Sequence, residues 1–178
     1  MRTTAPHTLA QTAAAKRRNS VRCYIGLGSN LSQPLLQLRR ALIALDDLPR
    51  SRLQNCSSVY RSEPLGPGVQ PDYLNAVAEL HTALAPLPLL AALKAIERRA
   101  GRVHTRRWAP RALDLDILLY GECRLQTRQL ELPHPQLWQR NFVLYPLYEI
   151  APGLRFPDGR QLDAAALQHL PGRLKKQA

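Results

Sequence analysis

The sequence predicts an α/β (α+β) chain, a ferredoxin-like sandwich with a mostly antiparallel sheet and helices packed on it. Three observations predict this. Apolar strand-like runs and two leucine-periodic segments follow one another as strand, helix, strand, strand, helix, strand, the order of that sandwich. The last strand, from Ala112 to Leu119, alternates strictly, with Leu113, Leu115, Ile117 and Leu119 on a core face and Ala112, Asp114, Asp116 and Leu118 on the other. Finally, 178 residues with 45% hydrophobic content suffice for one domain with a real core.

Residues 1–20 hold Thr, Ala, Arg, Lys and Pro without an acid and without sustained periodicity, and read as a disordered basic tail; 21–178 read as a single domain. Such a composition also describes a mitochondrial transit peptide, but the plain tail is favoured. Residues 21–27 form a short apolar strand running into Gly28, Ser29 and Asn30, a turn cluster. The GLGSN run lacks the lysine and spacing of a P-loop. Ser32 is the candidate cap of the first helix, Pro34 suits its first turn, and Leu35, Leu38, Leu42 and Leu45 share its inward face until Pro49.

A second strand spans 52–62, a Pro- and Gly-containing loop 63–72, and a third strand 73–81. Tyr73 and Asn75 share a face of that strand, an aromatic plate beside an amide that both donates and accepts hydrogen bonds. The second helix spans 87–100, with Leu89, Leu90, Leu93 and Ile96 inward and Gly101 as its stop. Lys94 and Glu97 lie three apart on one side, spaced to pair with each other. After the alternating strand come a turn at Gly121, a short strand near 130–132, a helical segment at 142–150 and a last helix over 163–170. The two helices cover one sheet face and leave the other for a site.

The net charge of +12 raises nucleic acid, acidic lipid and polyphosphate as partners. No run is long enough to span a membrane. Cys23, Cys56 and Cys123 are odd in number and far apart, which suggests neither a disulfide framework nor a zinc spacing; they read as buried thiols of a reducing cytosol.

The chemistry concentrates in the stretch RRWAPRALDLDILL, residues 106–119. Two residues of strand put Asp114 and Asp116 on one side, and two unit charges about 7 Å apart cost roughly 2.4 kcal/mol at an effective dielectric near 20. Magnesium offsets that cost, since it binds through one or two carboxylates plus phosphate oxygens. Arg102, Arg106, Arg107 and Arg111 supply the residue type that grips phosphate bidentately. A solvated edge strand whose acids are merely neutralised by arginine is the bland alternative. The apolar opposite face, and the tryptophan and proline among the arginines, weigh against it. His134, between two prolines and near Arg140, would extend a phosphate-facing cluster.

The runs YIGLGSNL, SSVYRSEPLGPGVQPDYLNAVAEL, RRWAPRALDLDILLYG and LPHPQLWQRNFVLYPLYEIAPGL cover 21–156 in order. Together they resemble the 6-hydroxymethyl-7,8-dihydropterin pyrophosphokinases of folate biosynthesis. The resemblance implies transfer of diphosphate from ATP to the pterin with release of AMP, and two magnesium ions held by Asp114 and Asp116. It further implies Arg102, Arg107, Arg111 and Asp116 as the catalytic set. Ser62, Leu65, Tyr73, Asn75 and Phe142 would hold the pterin, and Lys94, Glu97, Trp108, Ile117, His134 and Arg140 the nucleotide. Three positions depart from many members: His104, Lys94 and Pro135.

The partners so implied are ATP and the pterin, with neither nucleic acid nor membrane, and the protein is expected to be a cytoplasmic monomer. An RNA-binding module would need aromatic residues interleaved with basic ones on the central strands, whereas aromatic content is 6% and the central strand is acidic. A nucleotide-sugar transferase with a DxD pair would need a larger, doubly wound domain.

Overall fold

The computed structural model describes residues 20–65, 69–101, 110–168 and 170–177. The elements in order are β1 (Val21–Ser29), α1 (Pro34–Asp46), β2 (Ser51–Cys56), β3 (Tyr60–Ser62), β4 (Tyr73–Thr82), α2 (Pro86–Arg99), β5 (Asp114–Tyr120), β6 (Leu125–Gln126), β7 (Glu131–Leu132), α3 (Asn141–Ile150) and β8 (Leu174–Lys176). The main sheet runs β5-β1-β4-β3-β8, with β2 also on β4, and its pairings are antiparallel. β6 and β7 form a separate hairpin.

The predicted sandwich is present. Cys23, Ile25 and Leu27 of β1, Ala78 and Leu80 of β4, and Leu113, Leu115 and Ile117 face α1 and α2, meeting Leu38, Leu45, Leu89 and Leu93. Each such leucine contributes about 1.5–3 kcal/mol through burial. The other sheet face, expected to be left for a site, is only partly covered. Tyr24, Val77, Leu118 and Leu119 pack there against Leu137, Leu144, Leu147, Phe156 and Leu162.

Leu119 is itself a correction. Tyr24 pairs with Leu119 and Ile25 with Ile117, so Leu118 is the extra residue of a β-bulge. Past that point the alternation slips by one, and Leu119 joins Leu118 on the second face. The predicted strand over 52–62 splits into β2 and β3, because residue 57 folds inward. Its N–H donates to Val77 O at 2.9 Å, and its Oγ accepts from Val77 N–H at 3.0 Å. Gly28 and Ser29 belong to β1 rather than to a turn, paired with Asn75 and Leu74.

Helix α1 begins at Pro34 without a side-chain cap. Ser32 and Gln33 have φ of 55° and 62°, and the Ser32 carbonyl accepts from Gln37 Nε2 instead. Its inward face is Leu38, Ala41 and Leu45, while Leu35 is 42% exposed and Leu42 half-buried. α2 stops where expected, with Gly101 at φ +85°. The helix expected over 163–170 is only a single 3-10 turn, Ala165–Leu167, with Asp163 Oδ1 accepting from Ala166 N–H.

Beyond that turn the chain makes β8, an unexpected strand. It adds to the edge of β3, with Tyr60 opposite Lys176 and Ser62 opposite Leu174. Glu149 of α3 anchors this corner. It accepts from Ser58 N–H and Oγ, from Tyr60 Oη at 2.9 Å and from Lys176 Nζ at 3.0 Å. Partial burial raises its pKa, but the bonds from Ser58, Lys176 and Tyr60 outweigh that effect and hold it below the usual range. A depressed carboxylate contributes stability above its unfolded pKa and loses it as pH falls through the folded one. Glu149→Gln should therefore cost about 1 kcal/mol at neutral pH. Melting curves of both proteins should converge as pH drops below the carboxylate range; a pH-independent gap would mean the charge contributes nothing.

Candidate functional site

A cleft of about 290 Å³ opens on the second sheet face, where α3 leaves β1, β4 and β5 uncovered. Its floor is glycine. Gly26 and Gly28 point toward this face, and Gly28 lies opposite Asn75 on one side and Asp114 on the other. Two strand spacings place Asn75 and Asp114 about 9.5 Å apart across a floor without side chains. Asp116 lies beyond Asp114, opposite Gly26.

One end of the cleft suits a flat heterocycle. Tyr73 lines it, and Phe142, in the first turn of α3, overhangs it from the opposite wall. Asn75 is buried, its Nδ2 donating to Ser62 Oγ at 2.9 Å and approaching Tyr60 O at 3.4 Å. Those bonds fix the amide plane, so Oδ1 has a defined direction for a ligand donor. Leu65 stands at the rim, 60% exposed.

The other end carries charge. Arg111 Nη1 donates to Asp114 Oδ2 at 2.6 Å. Asp116 Oδ2 lies 3.9 Å from Arg140 Nη1 and 4.0 Å from His134 Nε2. Burial, then the neighbouring Asp114 carboxylate, push the Asp116 carboxyl above its usual range, and His134, Lys94 and Arg140 only partly counter them. Burial lowers His134, against the opposing pull of Asp116. Gln136 N–H donates to His134 Nδ1 at 3.2 Å, so a neutral ring carries its proton on Nε2, the atom facing Asp116. Arg140 is braced by a bond to Gln136 Oε1 and lies 5.7 Å from the centre of the Phe142 ring.

Two expected nucleotide residues point elsewhere. Ile117 is buried in the core against the helices, which leaves only its backbone near the site. Glu97, 1% exposed, stands behind β5: its Oε1 accepts from Leu115 N–H at 2.7 Å and its carboxylate pairs with Lys94 at 3.1 Å. Leu115 sits between the two aspartates, so Glu97 clips the strand that presents them. Lys94 reaches the cleft wall. Glu97→Ala should destabilise the fold by about 1–3 kcal/mol, through the orphaned Leu115 N–H, in urea unfolding. Stability within 0.5 kcal/mol of the parent, on the order of a surface change, would remove that anchor. Arg102, Arg107 and Trp108 lie outside the described residues.

Sequence reasoning missed the floor and its braces. Ser29 Oγ donates to Ala112 O at 2.6 Å, and Asn30 Oδ1 accepts from Arg111 N–H at 2.8 Å while its Nδ2 donates to Pro71 O at 3.2 Å. The GSN run thus ties the end of β1 to the approach to β5 and to the loop before β4. A polar pair directly after two alternate glycines was the available signal.

A family model described as 7,8-dihydro-6-hydroxymethylpterin-pyrophosphokinase matches residues 24–152. A 2-amino-4-hydroxy-6-hydroxymethyldihydropteridine pyrophosphokinase of Pseudomonas aeruginosa is 55% identical over 141 residues, 79% of this chain and 87% of that protein. One of the same name from Haemophilus influenzae is 50% identical over 140 residues, 79% of this chain and 88% of its own length. Among solved structures, the Plasmodium falciparum HPPK-DHPS triple mutant with pteroate superposes with a TM-score of 0.65 at 13% identity. That match covers 83% of this chain and 43% of the longer one, and supports the fold alone. With a matching model over most of its length and close relatives of the same name, the chain belongs to the 7,8-dihydro-6-hydroxymethylpterin-pyrophosphokinase family.

Proposed function

We propose that the chain transfers diphosphate from ATP to 6-hydroxymethyl-7,8-dihydropterin and releases AMP, a step of folate biosynthesis. The observation that carries this reading is the row Asn75, Gly28, Asp114: a heterocycle-reading amide and a carboxylate pair face one cleft across a bare glycine. The pterin ring would lie between Tyr73 and Phe142 with its hydrogen-bonding edge on Asn75, Ser62 and the backbone near Leu65. Its hydroxymethyl oxygen would then point along the floor toward the aspartates. A bond forms from that oxygen to the β-phosphorus as the bond from the β-phosphorus to the α-bridging oxygen breaks; the hydroxyl proton passes to solvent, and AMP leaves with the electron pair of the broken bond.

The donor set suits magnesium. Asp114 and Asp116 offer hard oxygens on neighbouring positions of one strand face, lining one cleft. Among the described residues no cluster of three or more acids, histidines and cysteines surrounds a metal position. Two carboxylates completed by water and phosphate oxygens are a usual magnesium environment. Bound there, magnesium supplies charge neutralisation at the phosphates. Arg140 and His134 would hold phosphate oxygens from the opposite wall, and Arg111, paired with Asp114, would turn its guanidinium from that carboxylate to phosphate. Arg102, Arg107, Trp108 and Lys94 are proposed to complete the nucleotide site, and Glu97 and the Ile117 backbone to support it. Positioning and electrostatics of this kind supply most of the rate in phosphoryl transfer.

ATP and the pterin are the proposed partners, with a monomer in the cytoplasm as the working form and 21–178 as its single domain. Among the described residues no helix is long and apolar enough to cross a membrane. The test is incubation with magnesium, ATP and the pterin, followed by nucleotide separation, with pterin omitted as control. Pterin-dependent AMP matched by pterin diphosphate is expected. ADP in its place would mean attack at the γ-phosphorus and would overturn the reading.

A further inference from the structure

Residues 170–177 lie beyond the stretch matched by the family model, yet they join the two walls of the cleft. At one end the buried Asn141 donates through Nδ2 to Pro171 O at 2.7 Å and Gly172 O at 2.9 Å. Asn141 immediately precedes Phe142, which forms the overhanging wall. At the other end β8 pairs with β3 from Tyr60 to Ser62, Gln177 N–H donates to Val59 O at 2.8 Å, and Lys176 reaches Glu149. Ser62 holds the Asn75 amide in the facing wall.

We infer that this segment is a strap setting the spacing between Phe142 and the Tyr73–Asn75 wall, and that Asn141 is the positioning residue through which it tunes affinity for the heterocyclic substrate. The inference rests on the pterin reading of that end of the cleft. Leu170 packs at the edge of the second core, and beyond it polar anchors hold the strap. A second cavity of about 290 Å³ lies against Tyr60, Tyr145, Leu170 and Leu174, so the strap is not seated on a filled core. The surface pair Arg173–Glu63, with side chains 84% and 52% exposed, adds little. Losing the Asn141 bonds would therefore let the first turn of α3 and the β3 edge move independently. The carboxylates Asp114 and Asp116 stand on β5 beside β1, whereas β8 pairs with β3, and Arg140, which precedes Asn141, is held separately by Gln136 Oε1, so nucleotide binding should be largely spared.

Two full-length variants test this. Asn141→Asp keeps the side chain's size but replaces the donor with a carboxylate facing two carbonyls. Gly172→Val acts from the strap side, because Gly172 has φ +90° and an added Cβ would lie 3.4 Å from Asn141 Nδ2. Pterin and a non-hydrolysable ATP analogue are titrated separately by calorimetry, with amide hydrogen exchange followed without either. Each variant should weaken pterin binding about tenfold, and the double variant no more than either alone, because both break one contact. Analogue affinity should stay within about twofold, and exchange should rise at β3 and the first turn of α3 together. Unchanged pterin affinity and exchange in both variants overturns the strap, as does equal loss of both ligands. If the parent chain binds the analogue but no pterin, the functional reading fails instead, and exchange alone decides whether the strap couples the walls.

Discussion

Asp116→Asn will lower turnover about 10³-fold or more, yet leave the metal-free protein at least as stable as the parent. The two halves of this expectation share one cause. Asp116 sits in the cleft beside Asp114, and burial and that neighbour raise its carboxyl above the usual range. A raised carboxyl pKa means that the ionised form is disfavoured in the folded state. Stability is therefore lost as pH rises from the unfolded pKa to the folded one. Asparagine removes the charge, keeps the shape and so removes the cost. Catalysis needs that same charge, because it offers an oxygen for a cation carrying phosphate. Steady-state AMP release with magnesium and ATP, beside melting curves in chelator, reads both halves. A variant that turns over at the parent rate would dismiss Asp116 from the reaction. One that melts markedly lower would make it a structural residue held by Arg140 and His134.

The parts of the fold legible in the sequence were those fixed by short-range pattern. Periodicity gave α1, α2 and the strands because a 3.6-residue or two-residue repeat is imposed by backbone geometry itself. The same alternation put Asp114 with Asp116, and Tyr73 with Asn75, on shared faces, and the structure brings these faces to one cleft. What pattern could not reveal is which partner each face meets. Leu35 satisfies the helical stripe as well as Leu38 does, but it stays 42% exposed while Leu38 is buried. The bulge at Leu118 is set by how β5 registers on β1, and nothing local in DLDILLY announces the slip. β8 is shorter than any periodic signal, being three residues that become a strand by pairing with an edge. Its residues, Leu-Lys-Lys, give a basic tail in sequence and a strand in structure because β3 supplies the partner.

The candidate site divides in the same way. Its charged and aromatic members were visible because their chemistry is rare and their spacing meaningful. Glu97 was visible too, but it serves the site from behind, through the amide between the two aspartates. The glycines stayed hidden because the run GLGSN has the composition of a turn. Only the pairing of Gly28 with Asn75 and Asp114 converts them into a floor.

That floor yields the second large effect. Gly28→Val will weaken pterin binding about 100-fold while leaving nucleotide affinity within about twofold. A Cβ at Gly28 would lie 3.4 Å from Asn75 Oδ1 and 3.9 Å from Tyr73 Cδ1, so alanine fits tightly. The two further carbons of valine must project over the floor, between the amide and the ring that would grip the heterocycle. Gly28 is not among the residues with a positive φ, and a β-branched residue suits a strand. The fold should therefore survive, and the loss should appear in pterin affinity rather than in melting temperature. Gly26 offers the contrast: a Cβ there meets Leu118 Cδ2 at 3.3 Å, at the edge of the packed second core, and Gly26 lies opposite Asp116. Gly26→Ala should then disturb the phosphate end and spare the pterin. Calorimetric titration of each ligand into each variant separates the two glycines. Gly28→Val binding pterin as the parent does would move the heterocycle off this floor, and with it the geometry that aims its hydroxyl at Asp114 and Asp116.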